Sequence, residues 1–271
     1  MSAHTAVRHE LLVRCLDAWT PAVLRGNKRV TYVDCSTDPA SAAAALRVFG
    51  EFADLIERHT LTIVGFVSSV PDPPPGLVMC PISSYDDLVP ALPIRSPVFG
   101  WFDGFPLAPA IASHKSSEVL TVSSGPATAA PAPFPFPLSC RVDLVDAGGN
   151  GELLTYGTSS EKALEKFKDE LWALDEYAGI RLRDPADPDG TLLDISVQPN
   201  PAPLRRCLLA EVDRAEGSTV AQLRSWALRE TIFRVADVTK ALQALVSSGA
   251  VGREPAAGRL SPTTQILRPT R

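Results

Sequence analysis

The sequence predicts an α/β protein, a parallel sheet with helices on both faces, followed by a C-terminal winged helix-turn-helix unit. Three observations predict it. Between Val30 and Val122 short β-forming runs alternate with apolar stripes at helical spacing. After Pro203, three amphipathic helical stretches precede two short strands that flank a glycine-containing turn. Charge divides at the same place: Pro201 to Arg271 carries 11 Lys/Arg against 6 Asp/Glu, which leaves 15 against 25 before it. The expected boundaries are residues 1–198 for the α/β unit and 199–271 for the winged helix.

Taken in order, His9 to Leu24 carries Leu11, Leu12, Cys15, Leu16, Trp19 and Val23 on one helical face. Pro21 predicts a break or a restarted helix, and Gly26 closes the segment. Val30 to Val33 is a short buried strand ending at Asp34. Asp38-Pro39 reads as an N-cap with proline at the first helical position, and Leu46, Phe49, Ala53 and Ile56 follow at helical spacing. Leu61 to Val67 is a second strand, and Pro71 to Gly76 an extended, solvated connection. A short strand at Leu77–Cys80, a short helix at Tyr85–Leu92 and a strand from Pro97 to Phe102, ending at Asp103, come next. A brief helical stretch over Leu107–Ser113 then leads into a strand at Glu118–Val122. The Ala/Pro-rich stretch from Ser123 to Pro137 favours an exposed loop. Arg141–Val145 and Glu152–Tyr156, joined through Gly148-Gly-Asn-Gly151, form a β-hairpin. The helix from Glu161 buries Leu164, Phe167, Leu171 and Leu174, and two Pro-rich stretches, 184–190 and 199–203, separate the body from the tail.

In the tail, Leu204, Cys207, Leu208 and Val212 mark the core face of a first helix. Gly217-Ser218 stops it and caps a second, which buries Val220, Leu223 and Ala227. A third helix turns Val235, Val238, Leu242 and Leu245 inward and ends at Gly249 in the C′ position. Val251–Arg253 and Leu260–Ile266 flank the wing. The third helix would read DNA, with Asp237, Thr239, Lys240, Gln243, Ala244 and Ser247 outward. Lys240 and Gln243 suit base contact, and Arg224, Arg229, Arg234, Arg253, Arg259 and Arg268 suit phosphate contact. The alternative for this unit is a protein-contact surface or simple packing on the body.

Other classes are excluded or disfavoured. No apolar run approaches the roughly 18–20 residues needed to span a bilayer, and no secretory signal is present, so a cytoplasmic location without membrane contact is expected. Five scattered cysteines and four dispersed histidines lack metal-ligand or disulfide spacing, so no metal site is indicated. There is no GxSxG elbow, no P-loop and no Cys–His pairing. His114 lies beyond the fourth strand, on the edge where ligands bind, and reads as incidental.

Three segments carry a family likeness. Leu153-Leu-Thr-Tyr-Gly-Thr-Ser-Ser-Glu-Lys-Ala-Leu-Glu-Lys-Phe-Lys-Asp-Glu-Leu-Trp172 is one; Pro97-Val-Phe-Gly-Trp-Phe-Asp-Gly-Phe-Pro106 and Val30-Thr-Tyr-Val-Asp-Cys-Ser-Thr-Asp-Pro-Ala40 are the others. Together they resemble the three-Cys-motif partner proteins, bacterial proteins in which a Rossmann-type methyltransferase-like domain precedes a winged helix. The likeness covers most of the chain. It implies an S-adenosylmethionine site at the carboxyl ends of the strands, with Asp34, Asp38 and Asp103 as the cofactor-side positions. Asp38 and Ala40 stand where the family's loop has glycines, and Gly104-Phe-Pro106 exchanges the order of Pro and Gly after Asp103. Glycines there permit close approach of backbone to cofactor; Asp38 would instead cap the next helix and repel the cofactor's carboxylate. Asp34 and Asp103 would sit near one another, able to bind a ribose hydroxyl or an amine or simply to stabilise loops. The leading expectation is a non-catalytic binding or regulatory protein with a degenerate methyltransferase-like body and a winged helix contacting DNA or a protein partner. The alternatives are an active S-adenosylmethionine-dependent methyltransferase, and a structural partner protein that binds no nucleic acid.

Overall fold

A computed structural model describes residues 2–66, 75–93, 95–125, 134–174 and 179–268. The chain opens on α1 (Ala3–Leu24), β1 (Arg29–Ser36), α2 (Pro39–Glu51), α3 (Ala53–Ile56), β2 (Thr60–Gly65) and β3 (Leu77–Pro81). A 3-10 turn at Tyr85–Asp87 leads into α4 (Leu88–Ala91), then β4 (Val98–Asp103), a second 3-10 turn (Pro109–Ser113) and β5 (Glu118–Ser124). The hairpin β6 (Leu138–Val145) and β7 (Gly151–Thr158) precedes α5 (Glu161–Trp172), β8 (Arg181–Arg183) and β9 (Leu192–Asp194). The tail holds α6 (Ala202–Arg214), β10 (Ser218–Thr219), α7 (Val220–Glu230), α8 (Val235–Ser247), β11 (Gly252–Glu254) and β12 (Gln265–Leu267).

Among the described residues the main sheet has nine strands in the order β3-β2-β1-β4-β5-β7-β6-β8-β9. Its first five strands are parallel, as the alternation of strands and helices predicts. From β7 onward the pairing is antiparallel, so the sheet is mixed. Within the hairpin the cause is connection length: Asp146–Asn150 joins β6 to β7 in a tight turn, and a tight turn can return a strand only in the opposite direction. The fold is a large α/β sheet with helices, consistent with a Rossmann-like arrangement.

Strand alternation gives each face its own core. Tyr32, Phe99, Trp101, Leu120 and Tyr156 meet α1, α2 and α5 on one side. Val33, Cys35, Val64, Phe102 and Val119 meet Leu88 and Ile111 on the other. The first core continues without a break into Leu204, Leu223, Ala227, Phe233 and Leu242 of the tail.

Several local expectations change. Pro21 lies inside α1 rather than ending it. Its ring removes one backbone donor, but Trp19, Val23 and Leu24 are buried and hold the last turn in place. Residues 184–190 are not an interdomain linker; they turn the chain between β8 and β9, two strands too short to read from alternation. The second tail helix is capped by Thr219, whose side chain accepts from Gln222 N in a capping box, and Ser218 pairs in β10 instead. Cys207 and Val235 are half-buried rather than fully inward. Val67, residues 71–74 of the proline-rich connection and residues 126–133 of the Ala/Pro-rich stretch lie outside the described residues. Among the described residues no helix is long and apolar enough to cross a membrane, and no group of three or more His, Cys, Asp or Glu is placed to hold a metal ion.

Candidate functional site

In an open parallel sheet, ligands bind outside the carboxyl ends of the strands where the strand order reverses. Here that point lies between β1 and β4, which pair with Ser36 opposite Asp103. Asp34, Asp38 and Asp103 all gather there, as the sequence suggests. Asp34 is 2% exposed and accepts a hydrogen bond from the Tyr32 hydroxyl at 3.1 Å. Burial pushes its carboxyl up to about 7, against the lowering effect of hydrogen bonds from Tyr32 and Ser41, and the nearby Asp103 and Asp38 raise it further.

Asp38 caps α2: its Oδ1 accepts from Ala40 N at 2.9 Å, while its own N–H donates to Ser36 Oγ at 3.0 Å. Its Oδ2 lies 3.2 Å from His9 Nε2. Asp103 accepts from Arg8 Nη1 at 3.1 Å. Burial raises this carboxyl and Arg8 opposes the rise. Arg8 also reaches Glu152 Oε2 at 3.4 Å, a charge contact without hydrogen-bond alignment. The first turns of α1 therefore lie over the switch point, with Arg8 paired to Asp103 and His9 beside Asp38. Sequence reasoning does not nominate Arg8 and His9. Their adjacency to a helical stripe is visible, but the strand edge that the helix end meets is a tertiary fact.

A cleft of about 550 Å³ remains beside this plug, bordered by Asp34, Ser36, Asp38, Leu46, Phe66 and Phe105. The loop from Asp34 to Ala40 thus leaves space rather than closing it. One wall is aromatic: Phe66 stacks on Phe105 at 5.0 Å, and Phe105 on Tyr85 at 5.9 Å. Phe105 also borders a second groove of about 580 Å³ on the other side, with Thr121, Phe136 and Arg141. Gly65 at the end of β2 is required by close approach, since a Cβ there would lie 2.4 Å from the Asp34 carbonyl oxygen. Dinucleotide-binding sheets place a ribose-binding acid beyond the first loop; β2 ends on Gly65-Phe66 instead. Cys35 adds no nucleophile: it is fully buried, and burial pushes its thiol up to about 12.

His114 is placed differently from its sequence expectation. Its Nδ1 lies 3.2 Å from the Ser96 carbonyl, at the amino ends of β4 and β5, opposite the ligand edge. The strand that follows it, β5, starts there and runs toward the ligand edge.

The tail candidates are spread over the surface of α7, α8 and the ribbon, and most are engaged within the chain. Arg224 donates to Thr239 Oγ1 at 2.7 Å, Arg229 pairs with Glu161 at 2.5 Å, and Arg268 pairs with Asp213. Arg234 pairs with Asp237 at 2.9 Å and donates to the Val197 carbonyl at 2.7 Å. Arg253 donates to the carbonyls of Pro255, Ala257 and Gly258. Asp237, expected outward, is 7% exposed because the Arg234 pair draws it in. Lys240, Gln243 and Arg259 are exposed.

Behind these residues lies a set the sequence does not reveal. Lys168, 0% exposed, donates its Nζ to the carbonyls of Ala227 (3.1 Å), Leu228 (2.7 Å) and Thr231. Trp172 Nε1 donates to Ile232 O at 2.9 Å and its ring stacks on Phe233 at 5.7 Å. Asp184 Oδ2 accepts from Ile232 N at 3.1 Å. Lys168 shares a helical face with Leu164 and Leu171, which is the one sequence signal that it is buried. Compared with protein-family models, curated proteins and solved structures, the chain matches none of them.

Proposed function

We propose that this is a non-catalytic binding or regulatory protein: a degenerate methyltransferase-like body, residues 1–198, carrying a winged helix, residues 199–271, that contacts a partner. The observation that carries the reading is the engagement of the ligand-edge acids by the chain itself, Asp103 by Arg8 and Asp38 by His9 and the α2 cap. These residues do not fit S-adenosylmethionine. A capping carboxylate occupies a loop that would have to admit the cofactor's carboxylate, and Ala40 N, which would greet it, is bonded to Asp38. The strand order 3-2-1-4-5 followed by a reversed hairpin supports a methyltransferase-like descent, and with it a divergent relationship to the three-Cys-motif partner proteins. The tail order, helix, strand, two helices and a two-stranded ribbon, supports the winged-helix reading.

The engagement of Arg224, Arg229, Arg234, Arg253 and Arg268 favours a protein partner over DNA for this unit. A second reading, nucleic-acid contact, is favoured by the exposure of Lys240, Gln243 and Arg259 on and beside the third tail helix. Thermal unfolding at millimolar S-adenosylmethionine tests the first point, because a ligand of the folded state raises the midpoint. No shift is expected; a rise of several degrees overturns the reading. For the second, duplex affinity measured across salt concentrations separates the cases. Tight, steeply salt-dependent binding weakened by Lys240→Ala and Arg259→Ala establishes nucleic-acid contact.

A further inference from the structure

On the opposite edge of the sheet, a cavity of about 220 Å³ lies between α1, α5 and the start of β5. Trp19, Ala22, Tyr156, Ala163 and Phe167 line it together with Glu118, and Lys162, Lys166 and Glu170 also border it. Tyr156 and Phe167 stack in parallel with centroids 4.2 Å apart, which fixes both rings as a rigid boundary. Trp19 is 4% exposed and its Nε1 is buried without a hydrogen-bond partner among the described residues. Glu118 brings a carboxylate into this apolar setting. Its Oε2 accepts from Tyr156 OH at 2.6 Å, and among the described residues it has no second hydrogen-bond partner. The cation closest in kind, Lys166, is spent on Glu170 at 2.6 Å. Nothing on the ligand edge uses these groups.

We propose that this cavity is a binding site for a small primary amine with an apolar body, whose ammonium pairs with Glu118 while its body lies against Tyr156, Phe167 and Trp19. Charge complementarity selects the cation. Glu118 is half-buried, and its second oxygen has no hydrogen-bond partner among the described residues, so a donor that carries positive charge would complete it. Aromatic walls add cation–π attraction, which strengthens when the cation is desolvated. Size selects the body: an apolar cavity of about 150 Å³ admits benzene, so 220 Å³ suits one ring with a short aminoalkyl arm. Burial pushes the Glu118 carboxyl up to about 7, as a carboxyl without a cationic partner requires, and an arriving ammonium would draw it back into the ionised form. The proposal is independent of the carboxyl-edge reading, since the two sites share no residue.

The test is a calorimetric titration of the full-length protein at pH 8 with benzylamine, and with benzyl alcohol as the neutral counterpart. Saturable benzylamine binding is expected in roughly the micromolar-to-millimolar range, at least about tenfold tighter than benzyl alcohol. Glu118→Gln, which retains an acceptor for Tyr156, should weaken benzylamine about tenfold or more and leave benzyl alcohol unchanged. Ala163→Phe, on the half-exposed face of α5, should fill the cavity and abolish both. No saturable binding, equal affinity for the two compounds on the unaltered protein, or retention of benzylamine affinity in Glu118→Gln would each overturn it. The comparison of the two compounds needs no variant, so it decides the matter even if a substitution impairs folding.

Discussion

Asp34 is buried without a cationic partner, and this has a consequence for stability that runs opposite to the usual acidic residue. Its carboxyl titrates at about 7 in the folded chain against 3.8 unperturbed, because desolvation outweighs the hydrogen bonds from Tyr32 and Ser41. Between those values the folded state holds a proton that the unfolded state has released. Stability from this group is therefore full below about pH 4, falls as pH rises toward 7, and is flat beyond. Asp34→Asn should raise stability above pH 7 by on the order of 2–4 kcal/mol and flatten the slope between pH 4 and 7. Urea unfolding at several pH values checks this; an unchanged slope would show that Asp34 is solvated. The sequence marks Asp34 and Asp103 as acids at strand ends and Asp38 as a helix cap, although β1 runs two residues beyond Asp34, to Ser36. What could not be read was their company, because Arg8 and Glu152 reach Asp103's neighbourhood from positions far apart in the chain.

At the scale of elements, the periodic apolar stripes of α2, α5, α7 and α8 were readable because burial on one face imposes the 3.6-residue repeat. The short strands β8 and β9 were not, since three residues carry too little alternation to register. Proline misled in α1: propensity predicts an interruption, but packing of the flanking turns outweighs one lost hydrogen bond. The most consequential hidden feature is the end of α7. Helix C-termini leave carbonyls without internal partners, and Lys168 of α5 satisfies three in this region from across the interface. Its ammonium is held below the ordinary lysine range by desolvation, with Cys140 and Asp184 opposing. Lys168→Met keeps the stem's volume but takes this donor from the Leu228 and Thr231 carbonyls, while Ala227 O keeps its bonds from Thr231, and should cost about 3–5 kcal/mol in chemical denaturation. Lys162→Met, at an exposed site of the same helix, should change stability by less than about 0.5 kcal/mol. Similar losses for both would remove the capping role.

Across the whole molecule, most of the arginines named for phosphate contact in the tail are engaged by the chain's own acids and carbonyls. Glu161 takes Arg229, Asp237 and the Val197 carbonyl take Arg234, and Asp213 takes Arg268. Trp172, Lys168 and Asp184 join the tail to the sheet through a continuous apolar core, so the three-helix unit is presented in one orientation by the body. The helical stripes of the tail were legible from periodicity; the single core that joins them to the sheet was not, because it depends on which faces meet. The same principle governs the other end of the chain, where α1 lies over the switch point and its Arg8 pairs with Asp103 beside the open cleft. That engagement of the edge acids by the chain itself is the central claim. It is tested most directly by calorimetric titration of S-adenosylmethionine into the unaltered protein and into Asp34→Ala and Asp103→Ala. The account predicts no saturable heat from any of the three; micromolar binding by the unaltered protein that both substitutions abolish would contradict it.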